Sequence, residues 1–413
     1  MTREGALVLL SDGGTRLLTF IANVHLANVL GPESYGIAFL GLTVLSYAMW
    51  PADLGLYALG VREMAKPAEK QELKAGDILS LQTVLGLGGM IVAGVCVQGF
   101  VQDPTTRHIS FLFLLALIPS LWQMNWYYHG HRYYGRLAFL RYLFSGSYLF
   151  GVWLLIHSSD DLQHVPLIYT VGILCAAIAA VVMKRKEDSL LPSASIFSRR
   201  EWKSWRETLR KSTPIGFGSI LAQVVQMLPP IVIAALYDEA EVGLFGAAFR
   251  LTLALMVIDR TFFTLFLPRI STVNASNPER LPEILRRTFR TLILASLVVG
   301  GVMILVADPV IIFLYGSEYA DAIIPLAIMS WFVSATILTT FFSYTLVAAK
   351  YEKAYFQASL VSTPIAIGLI LLLTWQFGII GTATSIAVAE GIMVFVMYLK
   401  FRQHLKIRLF SVR

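Results

Sequence analysis

The chain carries twelve separate stretches of about 20 mostly apolar residues, the length a helix needs to cross the hydrocarbon core of a bilayer. In the first half they run over 6–29, 36–60, 78–101, 109–128, 137–156 and 165–183. In the second half they run over 213–236, 243–267, 289–314, 322–348, 355–375 and 380–399. Composition agrees: 56% of residues are hydrophobic and 14% charged, with a mean hydropathy of +0.68, against roughly a quarter charged in a soluble domain. Disorder, collagen-like repeats and secreted disulfide scaffolds are excluded. The expected fold is an all-α membrane protein. The first stretch contains Asp12, Gly13, Gly14 and Arg16 and lacks a cleavage site, so it reads as a mature helix rather than a signal peptide. Cys96 and Cys175 both sit in apolar runs, which predicts small buried hydrophobes without a redox or zinc role.

Nearly all of the 33 Lys and Arg residues fall in alternate connections: Arg62 to Lys74, Arg132 to Arg141, Lys184 to Lys211, Arg269 to Arg290, Lys350 with Lys353, and Lys400 to Arg413. Positive loops stay in the cytoplasm, so both termini are expected there. The opposite connections are short and acidic, as in Asp160 with Asp161, Asp238 to Glu241, and Glu318 to Asp321. The net charge of +7 then follows from topology and the anionic headgroups it meets, and nucleic acid is not an expected partner.

Displaced by half its own length, the chain meets itself in register. Gly36 falls on Gly243, Arg62 on Arg269, Val101 to Pro104 on Val306 to Pro309, and Ile118 with Pro119 on Ile324 with Pro325. Two six-helix lobes are expected, residues 1–183 and 213–413, related by a pseudo-twofold axis along the membrane normal. The join, 184–212, is basic. Its Trp202, Trp205 and Leu209 recur at helical spacing among Arg199, Arg200, Lys203, Arg206 and Arg210. That pattern suits a helix lying on cytoplasmic headgroups, or a plain tether between lobes.

Ionisable groups inside spans are costly and usually face a partner or a wet cavity. Asp12 and Arg16 lie four apart on the first span, hence on one face. Asp53 lies on the second, Arg250, Asp259 and Arg260 on the eighth, and Glu390 on the twelfth. One reading is a cationic cavity that binds a phosphate-bearing headgroup through Arg16 and Arg250, with Arg260 as a further contact; the other is a set of structural salt bridges. Glu390 is a candidate proton-coupling site, or a hydrogen-bonding partner of a neighbouring helix. The fourth span ends in Trp122, Asn125, Trp126, Tyr127, Tyr128, His129, His131, Tyr133 and Tyr134. These suit an interfacial aromatic belt, with Trp126 and Tyr127 as candidates to stack on sugar. Neither histidine has metal-ligand company nearby in sequence. Pro229 and Pro230 interrupt the seventh span and predict a bend that can serve as a hinge. No phosphate loop, nucleophile triad, paired catalytic carboxylates or zinc spacing appears, so the expectation is a secondary transporter, not an enzyme, without a cofactor.

Four local patterns together resemble the polysaccharide-exporter branch of the multidrug/oligosaccharidyl-lipid/polysaccharide superfamily, the Wzx-type O-antigen flippases. They are Leu30 to Gly36; Asp53 to Leu56 followed by Arg62 and Glu63; Val242 and Gly243 leading to Ala247 through Leu251; and Phe313 to Gly316 with Tyr319 and Ala322. The resemblance implies a lobe-swinging flippase of a bacterial inner membrane. Its substrate would be an undecaprenyl-pyrophosphate-linked oligosaccharide moved from the cytoplasmic to the outer leaflet, with the polyprenyl tail left in lipid. Ion gradients, H+ or Na+, would drive it, with Asp12, Asp53, Asp259 and Glu390 as coupling candidates. Asp53 and Arg260, equivalent in the two lobes, are expected to pair at a cytoplasmic gate. The alternatives are a drug/cation antiporter of the same superfamily, which the buried arginines disfavour, and a non-transporting scaffold subunit that binds a polysaccharide polymerase.

Overall fold

The computed structural model describes residues 3–184, 199–256, 278–349, 351–405, 407 and 409. Among them every long element is an α-helix, and the chain divides into two compact units, Met1–Val224 and Val225–Arg413.

In the first unit, α1 (Arg3–Asp53) is 51 residues long, about 77 Å if straight and far more than one bilayer crossing. It is two helices joined at Gly31, whose φ of 72° and ψ of 172° suit glycine, with Pro32 opening the second helix. Six helices follow: α2 (Leu56–Met64), α3 (Ala75–Phe100), α4 (Pro104–Leu115), α5 (Leu117–Leu121), α6 (Asn125–Gly130) and α7 (Tyr134–Leu155); α8 is His164–Met183. Their contacts set directions. Asp12 meets Arg141 and His25 meets Ile156, so the first half of α1 runs parallel to α7. Gly86 packs beside Ala52 and Gly89 beside Ala48 and Pro51, so α3 runs antiparallel to the second half of α1. The result is an up-and-down bundle in which Asp12, Asp53, α2, His129 and Arg141 gather at the end that bears the basic connections.

The helix α9 (Arg199–Leu236) belongs in its first part to this unit, and the boundary between units falls inside it. Trp205 is buried with Leu56, Leu79, Met124 and Trp126, and Leu209 packs against that cluster. Its apolar stripe is therefore satisfied by a protein groove, which corrects the headgroup-lying reading for the described residues; the Trp202 side chain lies outside them. The backbone of the turn Leu54–Gly55 rests directly on Ser212 and Gly216, where a Cβ on either glycine would overlap main-chain atoms of the other segment.

In the second unit, α10 occupies 239–256, α11 is Leu281–Tyr315, α12 Ile323–Ala348 and α13 Glu352–Leu405. Again one helix is two: α13 breaks at Phe377 and Gly378, whose φ is 57°. The carbonyls released there accept from Tyr237 Oη, at 3.0 Å to Thr374 and 3.2 Å to Trp375. Small residues let α11 and α12 approach closely: Ser334 Oγ donates to Ser296 O at 2.7 Å and Ser330 Oγ to Gly300 O at 3.3 Å. Phe289, Phe341, Phe342 and Phe401 form the aromatic centre of the core at the other end.

Eight apolar helical segments among the described residues are long enough to cross a membrane, and two of them, α1 and α13, each contain two spans. The seventh span corresponds to α9, and the eighth begins on α10 and continues into residues not described. Large apolar side chains point outward, among them Phe100 at 83%, Val182 at 76% and Phe313 at 87% exposed. They form the surface that lipid covers. Cys96 and Cys175 are exposed on the same kind of surface, which corrects the expectation of burial. In a membrane an apolar run faces lipid as readily as core.

Candidate functional site

The first half of α1 carries a polar stripe. Ser11, Thr15, Thr19 and Asn23 recur every four residues; Thr15 Oγ1 donates to Ser11 O at 2.8 Å, Thr19 Oγ1 to Thr15 O at 2.9 Å and Asn23 Nδ2 to Thr19 O at 2.6 Å. Thr15, Thr19 and Asn23 thus satisfy their side-chain donors on the helix backbone, which lets polar residues sit in an apolar span. Beside them stands a charged triad. Arg16 Nε donates to Asp12 Oδ2 at 3.0 Å, and Arg141 Nη1 from α7 lies 3.6 Å from Asp12 Oδ1. The three side chains remain 40%, 40% and 31% exposed for Arg16, Asp12 and Arg141, so they border open space. Gly14 completes the wall, since any side chain there would overlap the Tyr142 hydroxyl. Two guanidinium groups against one carboxylate leave a net positive charge.

A second polar group adjoins it. Asp53 closes α1, and its Oδ1 accepts from the Tyr57 backbone N–H at 3.3 Å across a turn in which Leu54 and Gly55 both take positive φ, 26° and 79°. Tyr57 Oη and His129 Nδ1 are 3.2 Å apart, and the His129 ring packs edge-on to Tyr134 at 5.9 Å. Arg141 lies within Coulombic reach of both Tyr57 and His129. The sequence-predicted Asp12, Arg16 and Asp53 are thus at one end of one unit, joined by Arg141, Tyr57 and His129. Arg141 counts with a basic connection in the sequence although its position falls inside the fifth span, and that overlap is the available signal. Tyr57 and His129 meet only through the fold.

The remaining candidates fall elsewhere. Trp126 and Tyr127 are 2% and 0% exposed, and Trp126 Nε1 donates to Gln82 Oε1 at 3.0 Å. They are core aromatics, neither belt nor sugar platform, because the short helix α6 turns them inward against α2 and α3. In the second unit Arg250 and Glu390 are half-buried and both engaged by neighbouring groups. Asp238 caps α10, accepting from the Glu241 N–H at 2.9 Å. Pro229 and Pro230 are buried within α9, which stays helical through them. Asp259 and Arg260, and with them the proposed gate pair to Asp53, lie outside the described residues.

Outside the spans, the basic end of the first unit is tied together by carboxylates. The buried Glu63 accepts from Lys66 Nζ at 2.6 Å and from the Glu72 N–H at 3.2 Å. Glu72 in turn pairs with Lys211 Nζ of α9 at 2.5 Å, which lowers the Glu72 carboxyl and raises the Lys211 ammonium from their ordinary values. Both are solvated, so the pair steadies α9 only weakly.

Comparison with known proteins follows this architecture. A family described as polysaccharide biosynthesis protein matches residues 1–274. Among solved structures, the lipid II flippase MurJ in an inward closed conformation superposes with a TM-score of 0.72 at 17% identity, covering 95% of this chain and 87% of that one. An inward-facing multidrug resistance MATE family transporter of the MOP superfamily gives 0.73 at 15% identity, covering 97% and 98%. A MOP superfamily transporter from Pyrococcus furiosus, described as having a binding pocket of reverse polarity, gives 0.61 at 15% identity, covering 99% and 97%. No curated protein matches in sequence. These similarities show that the chain shares the fold of those solved structures.

Proposed function

The chain belongs to the polysaccharide biosynthesis protein family, and from that premise we propose that it is a flippase for an undecaprenyl-pyrophosphate-linked oligosaccharide. It moves the head group from the cytoplasmic to the outer leaflet of a bacterial inner membrane by alternating access, with both termini in the cytoplasm. The observation that carries this reading is the pair of guanidinium groups, Arg16 and Arg141, held at an open wall inside an apolar helical bundle. Guanidinium forks match phosphate oxygens, and an intramembrane arginine is retained where it meets an anion. Arg250 and Arg260 are the candidate contacts from the second half of the chain. The polyprenyl tail stays in lipid, along the exposed apolar faces.

Alternating access needs an energy source and a moving element. An H+ or Na+ gradient supplies the first, with Asp12, Asp53, Asp259 and Glu390 as the acidic groups able to take part. The Pro229–Pro230 segment of α9 supplies the second, as a hinge. A drug/cation antiporter would need an unpaired carboxylate for its cation, and Asp12 is already met by two arginines. A docking role toward a polysaccharide polymerase would leave the arginines without a task.

The test is leaflet accessibility of a polyprenyl-pyrophosphate oligosaccharide in proteoliposomes. Arg16→Ala/Arg250→Ala removes two charge-assisted contacts, each worth roughly 1.5–3 kcal/mol, so transport is expected to fall by roughly a hundredfold or more. Full activity in that double variant would discard the arginines as phosphate contacts. A folded wild type that moves no lipid-linked oligosaccharide would overturn the flippase.

A further inference from the structure

We propose that Asp12 is a built-in counter-anion of the Arg16–Arg141 pair, displaced when a phosphoanion enters, so that ligand capture by the first unit is an exchange of anions. The inference deepens the reading above and rests on the site taking phosphate. Three features of the triad carry it.

First, the Asp12 carboxylate uses both oxygens, one on each guanidinium, in the way a phosphate would bridge the same two groups. Second, the arginines are under-used. Among the described residues, Arg16 spends only Nε, and Arg141 reaches Asp12 only at 3.6 Å, too long for a good hydrogen bond. Each guanidinium has five N–H donors, so most of the fork capacity on both sides is open to a ligand with more oxygens than a carboxylate. Third, all three side chains are 31–40% exposed, so the pairings are weak and an incoming anion reaches them without unpacking the bundle. Around the triad, Tyr142 lies over Gly14 from α7, and Tyr57 and His129 face Arg141 from α2 and α6. Among the described residues Asp12 is the carboxylate paired to both arginines, so it is the one placed to compete with the ligand.

Such a competitor suits a carrier. A pair of arginines without a counter-anion would hold pyrophosphate more strongly and release it more slowly. With Asp12 waiting four residues from Arg16 on the same helix, departure of the ligand is compensated by a carboxylate already in place. The arginines never stand unneutralised in the membrane.

The test uses the full chain in detergent with inorganic pyrophosphate as the probe, titrated calorimetrically at fixed ionic strength. Asp12→Asn keeps the side-chain shape and removes the competing charge, so it is expected to bind pyrophosphate about three- to tenfold more tightly than wild type, as loss of one or two exposed pairings implies. The gain is expected to vanish in Asp12→Asn/Arg141→Ala. Asp12→Ser gives a second neutral variant should the first fail to fold, and Asp12→Glu is expected to keep wild-type affinity. Unchanged or weaker binding in the neutral variants overturns the exchange, as does a gain that survives Arg141→Ala or an absence of binding in every protein. Tighter binding by Asp12→Asn, with flipping intact in Arg16→Ala/Arg250→Ala, would keep the exchange and remove the flippase site. Flipping lost in that variant, with pyrophosphate affinity indifferent to Asp12, would do the reverse.

Discussion

A single carboxylate shows how burial and neighbours set the behaviour of a residue that sequence treats as ordinary. Glu241 lies in a connection read from sequence as short and acidic; in the fold it is half-buried, and its Oε2 has no hydrogen-bond partner among the described residues. Burial above all, then the charges of Asp238 and Asp321, push its carboxyl up from the ordinary 4.5. The folded chain therefore holds this proton more tightly than the unfolded chain. The stability it contributes is fully present below the unfolded value and is lost as pH rises through the higher folded value. Glu241→Gln is expected to melt above wild type at pH 7 by up to about 1 kcal/mol, with the difference closing as pH falls toward 4.5. Thermal unfolding in detergent across that range checks it, and a Gln variant that melts lower at pH 7 would reveal a cation paired with the carboxylate. Other residues mark where sequence reading stops. The Asp12–Arg16 pair was legible because four-residue spacing on a helix is a local fact. Arg141 reads from sequence as part of a basic connection, and its pairing with Asp12 emerges only in the fold. Trp126 was visible as an aromatic, but which way α6 turns it depends on α2 and α3 together.

At the scale of elements, apolar runs located the helices well because hydrocarbon thickness imposes their length. The two folded helices, α1 and α13, were correctly divided into pairs of spans. The turn at Gly31 lies in one quoted motif, and Gly316, with φ 86° and ψ 174°, lies in another, so local backbone demands wrote themselves into the sequence. Contacts between distant backbones did not. Gly216 looks like any other glycine, and the motif around Gly55 says nothing of its neighbour, yet each stands where a methyl group would collide with main chain of the opposite segment. Main chain cannot rotate away as a side chain can. Gly216→Ala is therefore expected to force α9 off the 54–55 turn and lower stability by about 1–3 kcal/mol, the usual cost of overpacking. Gly301→Ala is the matched control, a helical glycine with nothing within 4 Å of its added Cβ, and it is expected to be neutral or stabilising by up to about 1 kcal/mol. Melting temperatures of the two variants in one detergent decide the matter. Equal melting would mean the α9 contact yields without cost.

For the whole molecule, the span count leads to an all-α membrane protein, and the fold matches two solved structures over nearly all of this chain. What neither spans nor repeats expose is how one helix serves two units. The boundary between the compact units falls at Val224–Val225, inside α9, a few residues before Pro229 and Pro230. Two consecutive prolines remove two backbone donors, and their rings press on the carbonyls of the preceding turn. A helix so weakened bends more easily than its neighbours while its ends stay packed, the N-terminal end through Trp205 and the Gly216 contact. Replacing both prolines with alanine restores those donors and stiffens the segment. If it acts as a hinge, Pro229→Ala/Pro230→Ala should melt higher than wild type, bind pyrophosphate with wild-type affinity, and flip lipid-linked oligosaccharide at least about tenfold more slowly, as about 1.4 kcal/mol added to the rate-limiting motion implies. Because binding and stability are read alongside rate, a loss of flipping caused by misfolding is distinguished from one caused by rigidity. Unchanged flipping with higher stability would make the prolines a static bend and move the search for the moving element to the kinks at Gly31 and Gly378.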